Sequence, residues 1–161
     1  MPAITALLHT TNAGLRLGRA LETLLPCAEI LIVDQHSADS TLRVARQYGA
    51  RIVPDSTQPN ANHFLEQARY DWILCLDPSE SITEGLQATL FEWSSWPANK
   101  LADKSSFSIF VRDQISQEWR TSSKPETRLV PRSWTQWNGF LPVDDHSSIR
   151  LEGELLRLAY P

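Results

Sequence analysis

The chain has 161 residues, which is the size of one domain, and 42% of them are apolar, so a packed core is expected. Its net charge of −4 argues against a general nucleic-acid-binding protein, because such proteins are normally basic. No apolar run approaches the roughly 20 residues of a membrane-spanning helix, so no integral membrane segment is expected. The two cysteines, Cys27 and Cys75, form no CxxC pair and predict reduced core thiols in a cytoplasmic protein.

Short apolar runs alternate with helical periodicity through the first ninety residues. The apolar runs predict buried strands, and apolar residues three or four positions apart predict the helices between them. A capping box between Ser81 and Glu84 predicts the start of a last helix, which runs through Trp93. The predicted strands lie at 3–10, 29–34, 50–54 and 72–77, and the three earlier helices at 17–25, 41–48 and 61–68.

Four strand–helix pairs in succession predict an α/β fold with a mostly parallel sheet and helices on both faces. The loops that follow the strands of such a sheet gather at one edge, and ligands bind at that edge. The loops after Thr10, Asp34, Val53 and Asp77 are therefore the candidate positions for a functional site.

The pattern changes after Trp93. Residues 94–104 predict a loop, and about sixty residues with little helical signal could barely hold a core of their own. We therefore expect a short mixed or antiparallel extension of the same sheet, within a single domain over residues 1–161. The strands predicted in this extension lie at 107–111, 117–120, 127–131 and 149–158.

Polar side chains follow the second predicted strand. Asp34 ends the strand, and Ser37, Asp39 and Thr41 come directly after it. A carboxylate at a strand end can accept hydrogen bonds from a nucleoside, and the other three can cap a helix whose N-terminal amides favour anions. The same residues also match an ordinary turn and helix cap, so both interpretations stay open at this point.

The loop after the fourth strand carries two carboxylates, Asp77 and Glu80, separated by Pro78 and Ser79. Carboxylates at a strand end can bind Mg²⁺ or Mn²⁺ together with a diphosphate, because hard cations take oxygen ligands and share the phosphate oxygens. A Pro-Ser turn with an exposed glutamate is the alternative interpretation of this loop.

These two loops occur together with further segments in a fixed order, from Ile4 to about Leu86. The segments are Thr11-Asn12, 29–34, Ser37 with Asp39 and Thr41, Asn62, and 71–77 with Glu80, followed by weaker matches at 128–132 and 137–139. In these segments the chain resembles the family 2 glycosyltransferases, and most closely the bacterial branch that adds sugars to lipopolysaccharide core. The resemblance implies a GT-A-like (Rossmann-like) sheet, with residues 1–93 as its nucleotide-binding part and 94–161 as a shortened acceptor-side extension.

The resemblance also implies roles for individual residues in nucleotide binding. Asp34 would contact the uracil or an equivalent base, Thr11 and Asn12 would line the same pocket, and Ser37 and Asp39 complete the first motif. Asp77 would contact the ribose side, and Asp77 with Glu80 would hold Mg²⁺ or Mn²⁺ on the diphosphate. Members of the family usually have a second aspartate two positions after the first, and this chain has Ser79 there.

An inverting transfer needs a carboxylate that takes the proton from the acceptor hydroxyl. Relatives usually place this base just after a Trp-x-Gly segment, but residues 139–143 of this chain contain no acid. Asp144 and Asp145 follow directly and are the candidate catalytic bases. The alternative for both is a solvated turn.

The resemblance predicts a glycosyltransferase that moves a sugar from a nucleotide-diphosphate donor, a UDP-sugar, to a glycan or lipid-linked acceptor. It further implies a place in the cytoplasm or at the inner face of the membrane, and a partner chain that supplies the C-terminal part found in relatives. Two alternatives are a nucleotide-sugar-binding module without turnover and a structural paralogue that keeps only the fold.

Overall fold

The computed structural model of the chain describes residues 2–55, 60–101 and 106–160. The strands are β1 Ile4–Thr10, β2 Glu29–Asp34, β3 Arg51–Pro54, β4 Trp72–Leu76, β5 Glu80–Ile82, β6 Phe107–Ile115, β7 Glu118–Thr121, β8 Glu126–Pro131, β9 Trp137–Asn138, β10 Leu141–Pro142 and β11 Ile149–Arg157. The α-helices are α1 Leu17–Leu21, α2 Thr41–Gln47, α3 Glu84–Trp93 and α4 Ala98–Leu101, and 3₁₀ turns lie at Ala61–His63 and Leu65–Gln67.

The first half of the chain forms four parallel strands in the order β3-β2-β1-β4. β1 lies in the middle, where Leu8 pairs with Ile32 on one side and with Leu76 on the other. Leu7 and Leu8 of β1 belong to hydrophobic clusters on opposite faces of the sheet. The near-continuous apolar strands are thus buried on both faces, as the sequence predicts for parallel strands.

The second half continues the same sheet beyond β4 in the order β8-β6-β11-β5, with β7 paired to β6. β8 is antiparallel to β4 and to β6, whereas β11 is parallel to β6. This mixed extension agrees with the prediction for the region after Trp93. Residues 102–104 of the predicted loop lie outside the described residues, and α4 occupies part of the rest.

The extension must curl, and the connection between β4 and β5 gives the reason. Three strands lie between β4 and β5 in the sheet, so in a flat sheet the two would be about 19 Å apart, at about 4.8 Å per strand. The four steps of chain from Leu76 to Glu80 span at most about 14 Å. The sheet therefore bends back on itself, and Glu80 lies inside the bend.

Helices cover the two faces of the sheet unequally. All four α-helices contribute buried residues, such as Leu17, Ala45 and Trp93, to the cluster on one face. The other face is covered by the two 3₁₀ turns and by the hairpin of β9 and β10. The α-helix predicted over 61–68 is therefore wrong. In 3₁₀ turns residues three apart lie on one side, which is how the pairs Ala61/Phe64 and Leu65/Ala68 become buried.

Two further boundaries differ from the prediction, and Thr23 and Ser81 explain them. The first helix ends at Leu21 because Thr23 donates to the Ala20 carbonyl and accepts the Ile82 amide proton, which ties this turn to β5. Ser81 lies in β5, so it cannot cap α3, and the cap is Thr83, whose hydroxyl accepts the Leu86 amide proton. Within the described residues no helix has the length and hydropathy needed to cross a membrane.

Candidate functional site

The first loop (residues 11–16, after β1) and the second loop (35–40, after β2) are joined through Asp34. The Thr10 and Ser37 hydroxyls each donate to Asp34 Oδ1 at 2.6 Å, and the Ser37 amide donates to Oδ2 at 3.0 Å. Asp34 is only 6% exposed. The carboxylate that is predicted to contact the nucleobase therefore also supports both loops from below.

Asn12 and Asp39 hold the same two loops together above Asp34. The Asn12 amide donates to Ser37 Oγ, and the Asn12 side-chain oxygen accepts the Ala38 amide proton. Asp39 accepts the Gly14 amide proton on one oxygen and, on the other, the hydroxyl and amide protons of Thr41. The hydrogen bonds from Thr41, hydroxyl first, hold the pKa of the Asp39 carboxyl below its ordinary value.

The third loop (77–79, between β4 and β5) presents one exposed carboxylate. Asp77 Oδ1 accepts the Ser79 amide proton at 2.9 Å and the Ser79 hydroxyl proton at 2.6 Å. Asp77 is exposed and Ser79 is buried beneath it. Ser79 therefore positions Asp77 but supplies no second carboxylate at this edge of the sheet.

Glu80 is held inside the bend of the sheet and does not reach the site edge. It is 0% exposed, and its Oε1 accepts from Arg128 Nη1 at 2.6 Å and from the Asp77 amide at 2.7 Å. Its Oε2 accepts from Arg128 Nη2 at 2.8 Å and from Arg157 Nη2 at 3.0 Å. This arrangement disfavours the predicted role of Glu80 in holding a metal ion, because Arg128 contacts both carboxylate oxygens and Arg157 contacts Oε2.

Arg128 is the main partner of Glu80, and it is 1% exposed. Burial of the guanidinium opposes its charged form, but the hydrogen bonds and charge of Glu80 raise the pKa of Arg128 above its ordinary value. The pair is thus charged and fully desolvated, with Glu126 and Asp113 completing the charge network around the two arginines. Glu80 acts as a structural anion.

The donor set for a metal ion is reduced to Asp77. Across residues 2–55, 60–101 and 106–160 no three His, Cys, Asp or Glu side chains lie close enough to hold a metal together. Mg²⁺ is nevertheless often held by one or two carboxylates, with waters and substrate phosphates as the other ligands. The residues present fit a cation that arrives with a diphosphate, held on the protein side by Asp77.

Two neighbouring cavities open at the carboxyl ends of β1 and β4, and both are lined by His9 and Asp77. One, of about 400 Å³, lies against the first loop, and we call it the first-loop cavity. The other, of about 390 Å³, lies against the β9–β10 hairpin and is called the hairpin cavity. The remaining lining of the first-loop cavity includes Thr11, Asn12 and Arg16, and that of the hairpin cavity Asn138, Gly139 and Phe140.

The structure thus brings some of the predicted nucleotide-binding residues together and not others. Thr11, Asn12 and Asp77 line one cavity. Asp34, Ser37 and Asp39 do not line it, and instead support the loop that does, through the hydrogen bonds described above. The sequence motif therefore combines residues that face the cavity with residues that hold its wall.

Asp144 and Asp145 lie in the turn before β11, where hydrogen bonds engage both of them. Asp144 Oδ1 accepts the Thr127 amide proton at 2.9 Å. Asp145 accepts protons from the Ser106 hydroxyl and from the amide and hydroxyl of Ser147. Neither aspartate lines the two cavities. The structure therefore favours a role for them in holding β8 to the turn, which is neither of the two roles considered from the sequence.

Two residues at the cavities carry chemistry that sequence reasoning missed. His9 lines both cavities, and its Nε2 lies 2.7 Å from Asp55 Oδ2. Arg16 lines the first-loop cavity and forms no salt bridge within the described residues. Because His9 lies one residue before the end of β1, the predicted strand edge was the signal that could have found it.

Two slightly larger cavities, of about 460 and 450 Å³, lie at the opposite edge of the sheet. Their lining includes Glu29, Arg51 and Tyr70, at the amino ends of β2, β3 and β4. Ligands of open α/β sheets bind outside the carboxyl ends of the strands, so we assign the functional site to the smaller pair.

Comparison with known families agrees with this geometry. The sequence pattern of "Glycosyl transferase family 2" matches residues 5–94, which is more than half of the chain. The chain belongs to this family. The matched segment contains the first, second and third loops. Of the candidate site, only the β9–β10 hairpin lies outside the matched residues.

Curated relatives of this family 2 chain come from Rickettsia. An uncharacterized glycosyltransferase of Rickettsia felis is 32% identical over 91 residues, which are 54% of this chain and 32% of the relative. One from Rickettsia bellii is 33% identical over 88 residues, or 52% and 30% of the two chains. The chain thus spans about a third of the length of these relatives.

Solved structures confirm the predicted GT-A fold for this family 2 chain. S. aureus TarS, residues 1–349, superposes with a TM-score of 0.59 and 17% identity, covering 82% of this chain and 48% of that fragment. The same TarS fragment in complex with UDP gives a TM-score of 0.52 and 18% identity, covering 72% and 37%. At these identities the likeness extends to the fold only.

Proposed function

We propose that this family 2 chain binds a UDP-sugar at the first-loop cavity and transfers the sugar to a hydroxyl group of a glycan or lipid-linked acceptor. The observation that carries the proposal is the position of that cavity, at the carboxyl ends of β1 and β4, with Thr11, Asn12 and Asp77 in its wall. The binding of UDP by TarS, which has the same fold, supports a uridine nucleotide as the donor group.

In this proposal the two sides of the cavity have different tasks. Thr11 and Asn12 contact the nucleoside, and Asp34 keeps Asn12 in place through Ser37. Asp77 lies on the ribose and diphosphate side, where it holds the Mg²⁺ or Mn²⁺ that accompanies the diphosphate. The cation neutralises charge on the leaving diphosphate. Arg16 adds a positive charge from the protein at the same cavity.

The acceptor is proposed to enter through the hairpin cavity. This cavity shares Asp77 and His9 with the first-loop cavity, so a sugar attached to a diphosphate at Asp77 would lie at the junction of the two. Phe140 and Leu141 provide an apolar wall, which suits the face of a sugar ring. The hairpin thus supplies the acceptor side of the site.

A second candidate function is nucleotide-sugar binding without turnover. It is favoured by three observations, namely the burial of Glu80 between two arginines, the serine at position 79 and the engagement of Asp144 and Asp145 in hydrogen bonds. Glu80, Asp144 and Asp145 are thus engaged elsewhere, and Ser79 stands where members of the family usually have a carboxylate. The two candidates share the donor site and differ in the chemistry.

Calorimetric titration of UDP into the whole chain, in EDTA and in Mn²⁺, tests the donor site. We expect binding that is tighter in Mn²⁺, and we expect Asp77→Asn to abolish this difference. Asp71→Asn is the matched control, because Asp71 is exposed at the opposite edge of the sheet, where it pairs with Arg132. No UDP binding in either buffer would overturn the proposed function. Binding that is indifferent to Mn²⁺, with no release of UDP from UDP-sugars, would favour the second candidate.

A further inference from the structure

His9 lies at the junction of the two cavities, and Asp55 fixes one side of its ring. The His9 side chain is 24% exposed, whereas that of Asp55 is 3% exposed. An ionised carboxylate can only accept a hydrogen bond, so Nε2 is the donor and carries the proton in the neutral ring. Nδ1 then keeps its lone pair. No hydrogen-bond partner of Nδ1 lies within residues 2–55, 60–101 and 106–160. Among the described residues, Nδ1 is thus left unpaired in a ring that lines both cavities.

Phe140 fixes the plane of the same ring. Its centroid lies 4.1 Å from that of His9, with 11° between the two planes. Phe140 stacks in turn on Phe64, at 5.8 Å, and so is held from behind. It also directly follows Gly139, in the segment where the sequence has no acid. This segment thus lacks a base of its own but holds the imidazole of His9 in position.

The other titratable groups at the two cavities suit proton acceptance less well. Arg16 carries a guanidinium, which donates hydrogen bonds and has no acceptor nitrogen. Asp77 lies where the departing diphosphate is proposed to be, so its charge is directed to the donor side. Asp144 and Asp145 lie outside both cavities. His9 is the remaining candidate among the described residues of the cavity walls.

We propose that His9 is the general base of the transfer reaction, an inference that rests on the proposed function. The acceptor hydroxyl oxygen forms a bond to the anomeric carbon, and its proton passes to His9 Nδ1. The bond between that carbon and the diphosphate oxygen breaks, and its electron pair leaves with UDP. The imidazolium formed in this step is stabilised by the buried carboxylate of Asp55, which acts as a positioning residue.

The protonation state of His9 can be measured without any substrate. Long-range ¹H–¹⁵N NMR of the whole chain, with His9 assigned by the loss of its signals in His9→Gln, reports which ring nitrogen carries the proton. We expect the neutral ring to be protonated at Nε2, and Asp55→Asn to produce a mixture of tautomers. A neutral ring protonated at Nδ1 would overturn the proposal, because that nitrogen could not then accept a proton.

The catalytic test uses water as the acceptor and UDP-glucose, UDP-galactose and UDP-N-acetylglucosamine as probes, with UDP release as the readout. We expect His9→Gln to lower the rate about 10²–10⁴-fold while the Kd for UDP stays within about twofold. His9→Asn serves as a second variant, with thermal unfolding as the check that both variants fold. His63→Gln, an exposed histidine in the first 3₁₀ turn, is the matched control and should keep the wild-type rate.

The pH dependence separates a base from a structural residue. The charged groups around His9 are Asp55 behind it and Asp77 and Arg16 across the cavities. We expect the wild-type rate to fall on the acid side of its pH profile, and we expect this acid limb to be absent from the residual rate of His9→Gln.

The outcomes distinguish this inference from the proposed function. If UDP does not bind, the proposed function fails. If UDP binds and the His9 variants release UDP at the wild-type rate, only the role of His9 fails. The role also fails if the His9 variants lose UDP binding, since His9 would then be a binding residue. It fails too if UDP binds but none of the three probes is turned over, a result that supports the binding module.

Discussion

The first and third loops meet at one edge of the sheet but are held in different ways. The first is held by neutral and carboxylate hydrogen bonds to the second loop, through residues about 25 positions apart such as Asn12 and Ser37. The third is held from below by Glu80, whose partners Arg128 and Arg157 lie 48 and 77 positions along the chain. The first loop is thus held by polar contacts within the N-terminal half of the chain. The third loop is held by a buried ion network whose cations come from the C-terminal half.

This difference shows which part of the site depends on the C-terminal half of the fold. The first loop needs β1 and β2, which are adjacent parallel strands. The third loop needs the curled extension, because β8 and β11 carry the cations that neutralise Glu80. Disturbing the extension should therefore change the surroundings of Asp77 before it changes those of Asn12.

The largest effect is expected from Arg128→Leu, which breaks the buried pair beneath the third loop. We expect a loss of about 3–5 kcal/mol in the free energy of unfolding, because Glu80 is left buried with only Arg157 to compensate it. Urea unfolding followed by circular dichroism measures this loss. Arg120→Leu is the control, since its pair with Glu118 is exposed and should contribute less than about 1 kcal/mol. Equal losses in the two variants would contradict the assigned importance of the buried network.

Gly153→Ala should have the next largest effect, again in the curled extension. Gly153 has φ +101°, and an added Cβ would lie 2.6 Å from Leu86 Cα at the start of α3. Backbone strain and overpacking together should cost about 2–4 kcal/mol. Gly139→Ala is the matched control, because its φ is +62° but no described residue beyond its two chain neighbours lies within 4 Å of an added Cβ. Thermal unfolding should therefore give a lower Tm for Gly153→Ala than for Gly139→Ala. A reversed order would refute the close approach of β11 to α3.

Ser79→Asp sharpens the comparison by returning a second carboxylate to the third loop. We expect UDP binding in Mn²⁺ to tighten about tenfold, which is about 1.4 kcal/mol, while binding in EDTA weakens or stays unchanged. Calorimetry measures both. Ser79→Asn provides a neutral side chain of the same size and should show no such gain. An unchanged Kd in Mn²⁺ for the aspartate variant would mean that a cation does not bind at Asp77.

Asp39→Asn probes the first loop through pH. Because the pKa of Asp39 is lower in the folded state, its carboxylate stabilises the fold above its ordinary pKa, and this stabilisation is lost as the pH falls through the folded-state value. The wild type should therefore exceed the variant in unfolding free energy near neutral pH, and the difference should shrink in acid. A difference that stays constant between pH 7 and pH 3 would contradict the hydrogen bonds assigned to this carboxylate.

The smallest effect is expected at Cys75, in the core between the two regions. Burial raises the pKa of the Cys75 thiol to about 12, so the reactive thiolate is nearly absent at neutral pH. Iodoacetamide at pH 8 should leave Cys75 unmodified in the folded chain, as judged by peptide mass spectrometry, and should modify it in urea. Rapid modification without urea would indicate that the sheet opens at β4.

Much of this fold can be predicted from local sequence patterns. The remaining features depend on contacts between residues that are distant in sequence. The strands and the motif of Asp34, Ser37, Asp39 and Thr41 could be predicted because their signals lie within a few residues of one another. The sequence predicts a metal-binding role for Glu80 because Glu80 directly follows the loop of Asp77, and no nearby residue indicates that Arg128 and Arg157 reach it. The sequence near His9 gives no signal for its role for a similar reason, because its partners Asp55 and Phe140 are distant in sequence.

The long span between Glu80 and its cations also has a consequence for synthesis. Chains emerge from the ribosome at about 5–20 residues per second, so the 77 residues that separate Glu80 from Arg157 take about 4–15 s. During that interval the four parallel strands are available to pair, whereas Glu80 at the edge of β4 still lacks the arginines that neutralise it. The nascent chain is thus a half-sheet with an open edge at β4, the stage at which chaperone binding would matter most.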